Sequence, residues 1–351
     1  MPAATNKFRM EKKPIKAQGK VLHKHIRPKG EEAKTILAIP STTILSLPAE
    51  MLQEIIRKMS SHDRAPLGLV CRQIRQADLA VPRVFEKIYM GWEDENQRIM
   101  TNMNGKTHKQ HRGSNDTPLQ ATPHYLRMFK RAKTKMLCIQ YEKDVPDPKA
   151  DFEVITSLCE SITFDKMHVS WYNTAECSDE FIPGLFANRD SANAQLSFTF
   201  FFKNFQEYPN IPASRKLLMK LPKLKNFQLH WMGWNRLASR ILNDAILLHI
   251  VSNTEHAELP EGEFSAQGLL DAFEAVCKSH LPQKYVKLRS FPSINVVKDL
   301  MERLKIDYRR METEYRHVDR ERQTVLSVSG GMYDTVYFQM YKIDKNECAA
   351  Y

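Results

Sequence analysis

Imidazole, thiol and carboxylate groups are the side chains most able to do chemistry, and in this 351-residue chain they are scattered. Cys71, Cys138, Cys159, Cys177, Cys277 and Cys348 stand far apart and form no C-x-x-C pair, so a structural zinc site is not expected. His23 and His25 flank Lys24, and two imidazoles alone make a poor metal site. His230 lies between Leu229 and Trp231 and reads as a strand histidine rather than a base. The run Asp344 to Glu347 is too short for a calcium loop, which spreads its oxygen ligands over roughly twelve positions. Gly330-Gly331 reads as a turn, not a phosphate cradle. The chain has no G-x-S-x-G, no G-K-S/T phosphate loop, no H-E-x-x-H and no G-x-G-x-x-G after a strand. The expectation is a protein without catalytic residues, metal or cofactor, acting through contacts.

Composition sets the class of partner. Hydrophobic residues make up 42% and charged residues 26%, a globular balance. No apolar run reaches the ~18 residues of a membrane span, and the first residues lack the apolar stretch of a secretory signal. Reduced thiols in the cytoplasm or nucleus are therefore expected. The net charge is +11, and most of it sits in residues 1–40: ten Lys/Arg precede position 37 against Glu11, Glu31 and Glu32. Such a tail stays solvated and disordered, or binds nucleic acid or an importin. Phe8 is alone among its lysines, so no base-stacking platform is present.

The elements that must position any contact residues fall into two parts. Residues 41–90 read as a compact helical unit, 91–123 as a polar linker or surface loop, and 124–351 as alternating strands and helices. Strand-like runs begin at Lys135, Lys166, Gln195 and Asn226, separated by 31, 29 and 31 residues. Helical faces lie between them: Phe152, Ile155, Leu158, Cys159 and Ile162; then Phe181, Leu185 and Phe186; then Leu217, Leu218 and Leu221. A βα unit recurring at about 30 residues suggests a stacked array. Leu221, Leu224, Phe227 and Leu229 approximate the apolar frame of a leucine-rich repeat; the alternative is an ordinary non-repeating α/β domain. Further on, "LLHIVS" at Leu247 reads as a strand and Ser265 to His280 as a helix. "KYVKLRSF" at Lys284 reads as a strand. Ser293 is placed to cap a helix, and the end forms a hairpin about Gly330-Gly331.

In the helical unit, Leu47, Met51, Leu52, Ile55, Ile56 and Met59 recur with helical period after Pro48 at the first helical position. Asp63 is placed to cap a second helix carrying Leu67 and Val70, with Pro66 in its first turn, and a third begins near Arg72 with Ile74 and Leu79. Three helices in about 40 residues are at the lower limit for independent folding, so a face completed by a partner is expected. The ordered positions Leu47, Pro48, Glu50, Leu52, Ile55, Met59, Asp63, Leu67, Leu69, Val70, Cys71, Arg72 and Arg75 resemble an F-box, and the fit runs ungapped to Tyr89. Ile74 and Phe85 stand where the family often has an aromatic, commonly Trp, and Arg64-Ala65 replaces an aliphatic pair.

The resemblance implies docking onto a Skp-type adaptor of a cullin–RING (SCF-type) ubiquitin ligase, with the rest of the chain recruiting a protein substrate. Leu47, Pro48, Leu52, Ile55, Val70, Cys71 and Arg72 would make the adaptor contact, some of them also holding the unit's own core. Strand residues pointing away from the helices are the expected substrate contacts: His168, Trp171, Phe200, Gln228, His230 and Trp231. The fold class expected is α+β and repeat-like, a three-helix F-box followed by a leucine-rich-repeat-like βα domain. The alternative function is a nucleic-acid-associated or scaffold protein using the basic tail.

Overall fold

The computed structural model describes residues 44–60, 63–93, 96–103, 106–112, 129–141, 148–172, 181–186, 190–202, 209–232, 236–290, 294–305, 314–330 and 336–344. The basic tail, the candidate cap Ser293 and the turn residue Gly331 lie outside them.

Helix α1, Ala49–Lys58, starts one residue after Pro48, whose carbonyl accepts from Leu52 N at 3.1 Å. It buries Leu52 and Ile56, one helical turn apart. Helix α2, Arg72–Ala80, is capped by Cys71, whose Sγ accepts from Ile74 N at 3.5 Å. Leu52, Ile56, Ala77 and Val81 form the small core, with Leu47 and Leu67 against it. The expected middle helix is instead a 3-10 turn, Ala65–Leu69. Asp63 does not cap it but is bridged to Ser60, whose Oγ donates to Asp63 Oδ2 at 2.6 Å. Five residues with Pro66 in the first turn are too few to propagate an α-helix.

A buried charge cluster closes this unit. Arg64 Nε donates to Asp78 Oδ1 at 2.8 Å, and Arg83 Nη2 donates to Asp78 Oδ2 at 2.7 Å. The Arg64 guanidinium also donates to the carbonyls of Asp78 (2.8 Å), Val81 (2.6 Å) and Pro82 (2.9 Å). These are the open acceptors at the end of α2, where a cation is favoured. Burial pulls the Arg64 pKa down, and the bond to Asp78 opposes that pull.

The chain then runs straight into a twelve-stranded sheet of order β10-β11-β12-β9-β8-β7-β6-β5-β4-β1-β2-β3. The strands are β1 (Val84–Glu93), β2 (Asn96–Met103), β3 (Lys106–Arg112), β4 (Ala132–Tyr141), β5 (Ile162–Tyr172) and β6 (Gln195–Phe201), then β7 (Leu224–Met232), β8 (Thr254–Gly262), β9 (Tyr285–Ser290), β10 (Glu314–Asp319), β11 (Thr324–Gly330) and β12 (Val336–Lys342). From β1 through β4 to β9 every pairing is parallel. Helices α3 (Pro148–Glu160), α4 (Phe181–Phe186), α5 (Ile211–Leu218), α6 (Asp244–Asn253), α7 (Ala266–Lys278) and α8 (Ile294–Arg303) alternate with these strands. Right-handed crossovers that always step to the next strand in one direction place their helices on one face. The core lies there, between residues such as Ile155, Leu217, Ile250 and Phe273 of the helices and Val169, Phe198, Leu229 and Leu288 of the strands.

The expected spacing is real. Strands β4 to β9 begin at 132, 162, 195, 224, 254 and 285, and Cys138, His168, Ser197, Gln228, Glu258 and Lys287 stand in one cross-strand row. The repeat frame residues Leu221, Leu224, Phe227 and Leu229 are all buried.

Three expectations are corrected. Residues 91–123 are not simply a linker, because β1 extends to Glu93 and β2 and β3 form an antiparallel meander beyond it. The helical unit therefore ends before Tyr89, in β1. "LLHIVS" is part of helix α6, capped by Asn243, whose side chain accepts from Ile246 N at 3.0 Å. The strand is the next segment, β8, whose charged sequence hid it. The closing hairpin is present, with β12 pairing both β11 and β9.

Lys284 seals the end of α6. It is 3% exposed, and its Nζ donates to the carbonyls of Val251 and Thr254. Burial lowers its pKa from 10.5 to about 8, with Glu255 opposing. Between these values the unfolded chain binds more protons than the folded one, so stability rises as pH climbs from about 8 to 10.5. The upper bound on that rise is about 3 kcal/mol. Urea titrations across this window are expected to show the rise in the parent protein and its absence in Lys284→Met. Equal slopes would remove Lys284 as its source.

Candidate functional site

The face of the sheet opposite the helices carries polar side chains. His168, Gln228 and His230 lie on this face. His168 is half-buried: its Nδ1 is 3.1 Å from Ser197 Oγ and its Nε2 is 2.8 Å from Ser170 Oγ. Burial, then the charges of His230 and Lys87, hold its pKa below the usual imidazole value. Burial pushes the Cys138 thiol up, while hydrogen-bonded Lys87 pulls it down. Further along, a cleft of about 360 Å³ is bordered by His230, Glu258, Glu261, Lys287, Arg289 and Tyr337. Arg289 bridges Glu261 at 3.2 Å and lies over the Tyr337 ring at 5.4 Å.

Three expected contact residues, Trp171, Phe200 and Trp231, are corrected, because all three lie on the face that packs under the helices. Trp171 and Phe200 are 2% and 1% exposed and face the helices. Trp171 packs on Phe181 of α4 with ring centroids 5.7 Å apart. Trp231 is half-buried against Phe200 and Phe202, and its Nε1–H donates to the Glu261 carbonyl at 3.2 Å. Alternation separates the two faces, and in a sheet with helices on one side the large apolar set goes under them. Lys87, Ser170, Ser197 and Thr199 were not foreseen; counting 29 or 30 residues from His168 along the repeat would have found Ser197 and Cys138.

The helical unit presents the opposite chemistry. Leu69 is 83% exposed, Val70 61%, Met51 53% and Ile55 39%, and Ile44 and Leu45 are also exposed. Pro48 and Arg72 are exposed and Leu47 and Cys71 half-buried, so all four reach the surface. Leu52 does not: at 2% exposure it is a core residue, and its expected role as a contact is corrected. An open groove of about 550 Å³ runs beside α2, lined by Leu69, Cys71, Arg72, Arg75, Gln76 and Leu79. So much apolar surface on so small a unit is costly in water. Residues 44–77 match the family model of the F-box domain. This chain carries an F-box. No curated protein matches the chain.

Within the F-box, Leu52 and Ile56 hold the core while Met51 and Ile55, on the same helix, are left outside. The departure Arg64 from the family's aliphatic pattern has a structural role, since its guanidinium closes the buried cluster. Among the described residues no group of three His, Cys, Asp or Glu is arranged to hold a metal, and no helix is long and apolar enough to cross a membrane.

Proposed function

We propose that the protein is a substrate-recruiting subunit of an SCF-type ubiquitin ligase. Its F-box docks a Skp-type adaptor through Leu47, Pro48, Ile55, Val70, Cys71 and Arg72 together with Met51 and Leu69. The open face of the βα sheet recruits a protein substrate. No catalytic residue is needed: holding a substrate near the charged ubiquitin carrier raises its effective concentration. The observation that carries this reading is the F-box match at residues 44–77, coinciding with the unit whose apolar side chains are left uncovered. Burying that surface on a partner would supply the main favourable term of association.

Co-expression with a Skp-type adaptor followed by size-exclusion chromatography tests it. A stoichiometric complex is expected. A chain that elutes alone and stays soluble would reduce the F-box to a structural bundle.

A further inference from the structure

The junction between α1 and the 3-10 turn is held by Ser60. Met59, just before it, is already extended at φ −79° and ψ 146°. Ser60 is half-buried; its Oγ donates to Asp63 Oδ2 at 2.6 Å and accepts from Asp63 N at 3.1 Å. Its carbonyl accepts from Arg64 N at 3.1 Å. Ser60 therefore fixes where Arg64 starts, and Arg64 is one of the cations that reach Asp78 in the buried cluster. In sequence Ser60 follows Arg57-Lys58-Met59. Of all the serines and threonines in the chain, only Ser60 has Lys or Arg at both the second and the third position before it. Arg57 and Lys58 are exposed in the last turn of α1.

We propose that Ser60 is a phosphorylation site for a serine kinase that reads basic residues, and that the phosphate releases the F-box from its adaptor. The modification rests on this junction alone; its effect on docking rests on the adaptor reading. Kinases select substrates by charge pattern, and Arg57 and Lys58 supply one. A kinase takes its substrate segment extended; Met59 already is, and presenting Arg57 and Lys58 needs only the last helical turn to fray. The Ser60 hydroxyl oxygen attacks the γ-phosphorus of ATP. The Oγ–P bond forms, the bond from that phosphorus to the β,γ-bridging oxygen breaks, ADP leaves, and the hydroxyl proton passes to the kinase's catalytic aspartate. The product does not suit its surroundings. Oγ loses the proton it gave to Asp63, and a group carrying about −1.5 to −2 charge then lies against that carboxylate. It also lies at the C-terminal end of α1, where the helix dipole favours cations. Arg64 is held by Asp78 and by three carbonyls, so it is not free to turn to the phosphate. Arg57 is paired with Glu54, and Lys58 offers one flexible charge against phosphate and Asp63 together. The Ser60–Asp63 bridge opens, Arg64 loses its fixed start, and the unit that presents Leu69 and Val70 loosens.

The test uses the full chain, Mg-ATP and the catalytic subunit of cAMP-dependent protein kinase, with tandem mass spectrometry to place the phosphate. Ser60 should be modified, and Arg57→Gln combined with Lys58→Gln should slow the modification at least roughly tenfold. Calorimetric titration with a Skp-type adaptor should show the phosphorylated chain binding at least roughly tenfold more weakly than the untreated chain. Ser60→Ala treated with the same kinase should keep the affinity it has untreated, which separates Ser60 from every other modified position. Hydrogen exchange gives a second readout: on phosphorylation the amides of α1 and α2 should lose protection and those of β5 to β7 should keep it. No phosphate at Ser60, phosphate at Ser61 in its place, or phosphate at Ser60 with either adaptor affinity or exchange unchanged would each overturn the proposal. An untreated parent chain that does not bind the adaptor counts against the ligase reading, and exchange then decides the proposal for Ser60 by itself.

Discussion

Asp78→Ala is expected to unfold the F-box while the sheet core stands. Asp78 is 4% exposed and holds two buried arginines, Arg64 at 2.8 Å and Arg83 at 2.7 Å. Removing one partner of a buried ion pair leaves its charge uncompensated and costs about 3–5 kcal/mol. The small cluster around Leu52 and Ile56 has little to set against that. Hydrogen exchange reads the result: amides of α1 and α2 should lose protection, and those of β5 to β7 should keep it. Replacing Arg64, Asp78 and Arg83 together with apolar residues should recover only part of the loss. The carbonyls of Asp78, Val81 and Pro82 would then lack the donor that Arg64 supplies. Unchanged protection in Asp78→Ala would show that the cluster does not hold the unit.

The double substitution Leu69→Asp and Val70→Asp is expected to abolish adaptor binding without loss of fold. Both side chains are mostly in solvent, at 83% and 61% exposure, so neither supports the core. Burying two carboxylates in an apolar contact costs several kcal/mol, enough to weaken binding by more than roughly a hundredfold. Leu52→Ala makes the contrast, because it should impair binding only by destabilising the unit. Thermal denaturation beside calorimetric titration with the adaptor separates the two. A Leu69/Val70 variant that keeps both its melting temperature and its affinity would place the docking surface elsewhere.

The F-box was legible because its apolar positions are spaced by its own helices, from Leu47 to Arg75, and burial reproduces much of that spacing. The βα array was legible where strands are apolar: the runs at Lys135, Lys166, Gln195 and Asn226 all became strands. It was hidden where strands are polar. In β8 only Thr254, Ala257, Leu259 and Gly262 are buried, too weak a signal beside the continuous apolar run of α6. The strands β2, β3 and β10 lie toward the ends of the sheet, and their polar sequences carry no continuous apolar run to mark them. The face each residue occupies was also illegible: His168 and Trp171 differ by three positions on one strand, and only the packed helices decide which of them meets solvent.

The α2 helix ends at Ala80 and β1 begins at Val84. Arg83, between them, is bonded on one side to Asp78 and through its carbonyl to Lys133 N of β4 at 2.8 Å. The F-box is therefore bolted to the first rungs of the sheet, with no hinge for a tether to swing on. On the proposed reading, such a body mounted on an adaptor would act as a ruler. Each βα unit adds one strand spacing, about 4.8 Å, to the distance from the mount. A substrate held at β5 and one held at β9 would present their lysines to the ubiquitin carrier from different, fixed distances. Which lysine is reached would then become a matter of which rung the substrate grips.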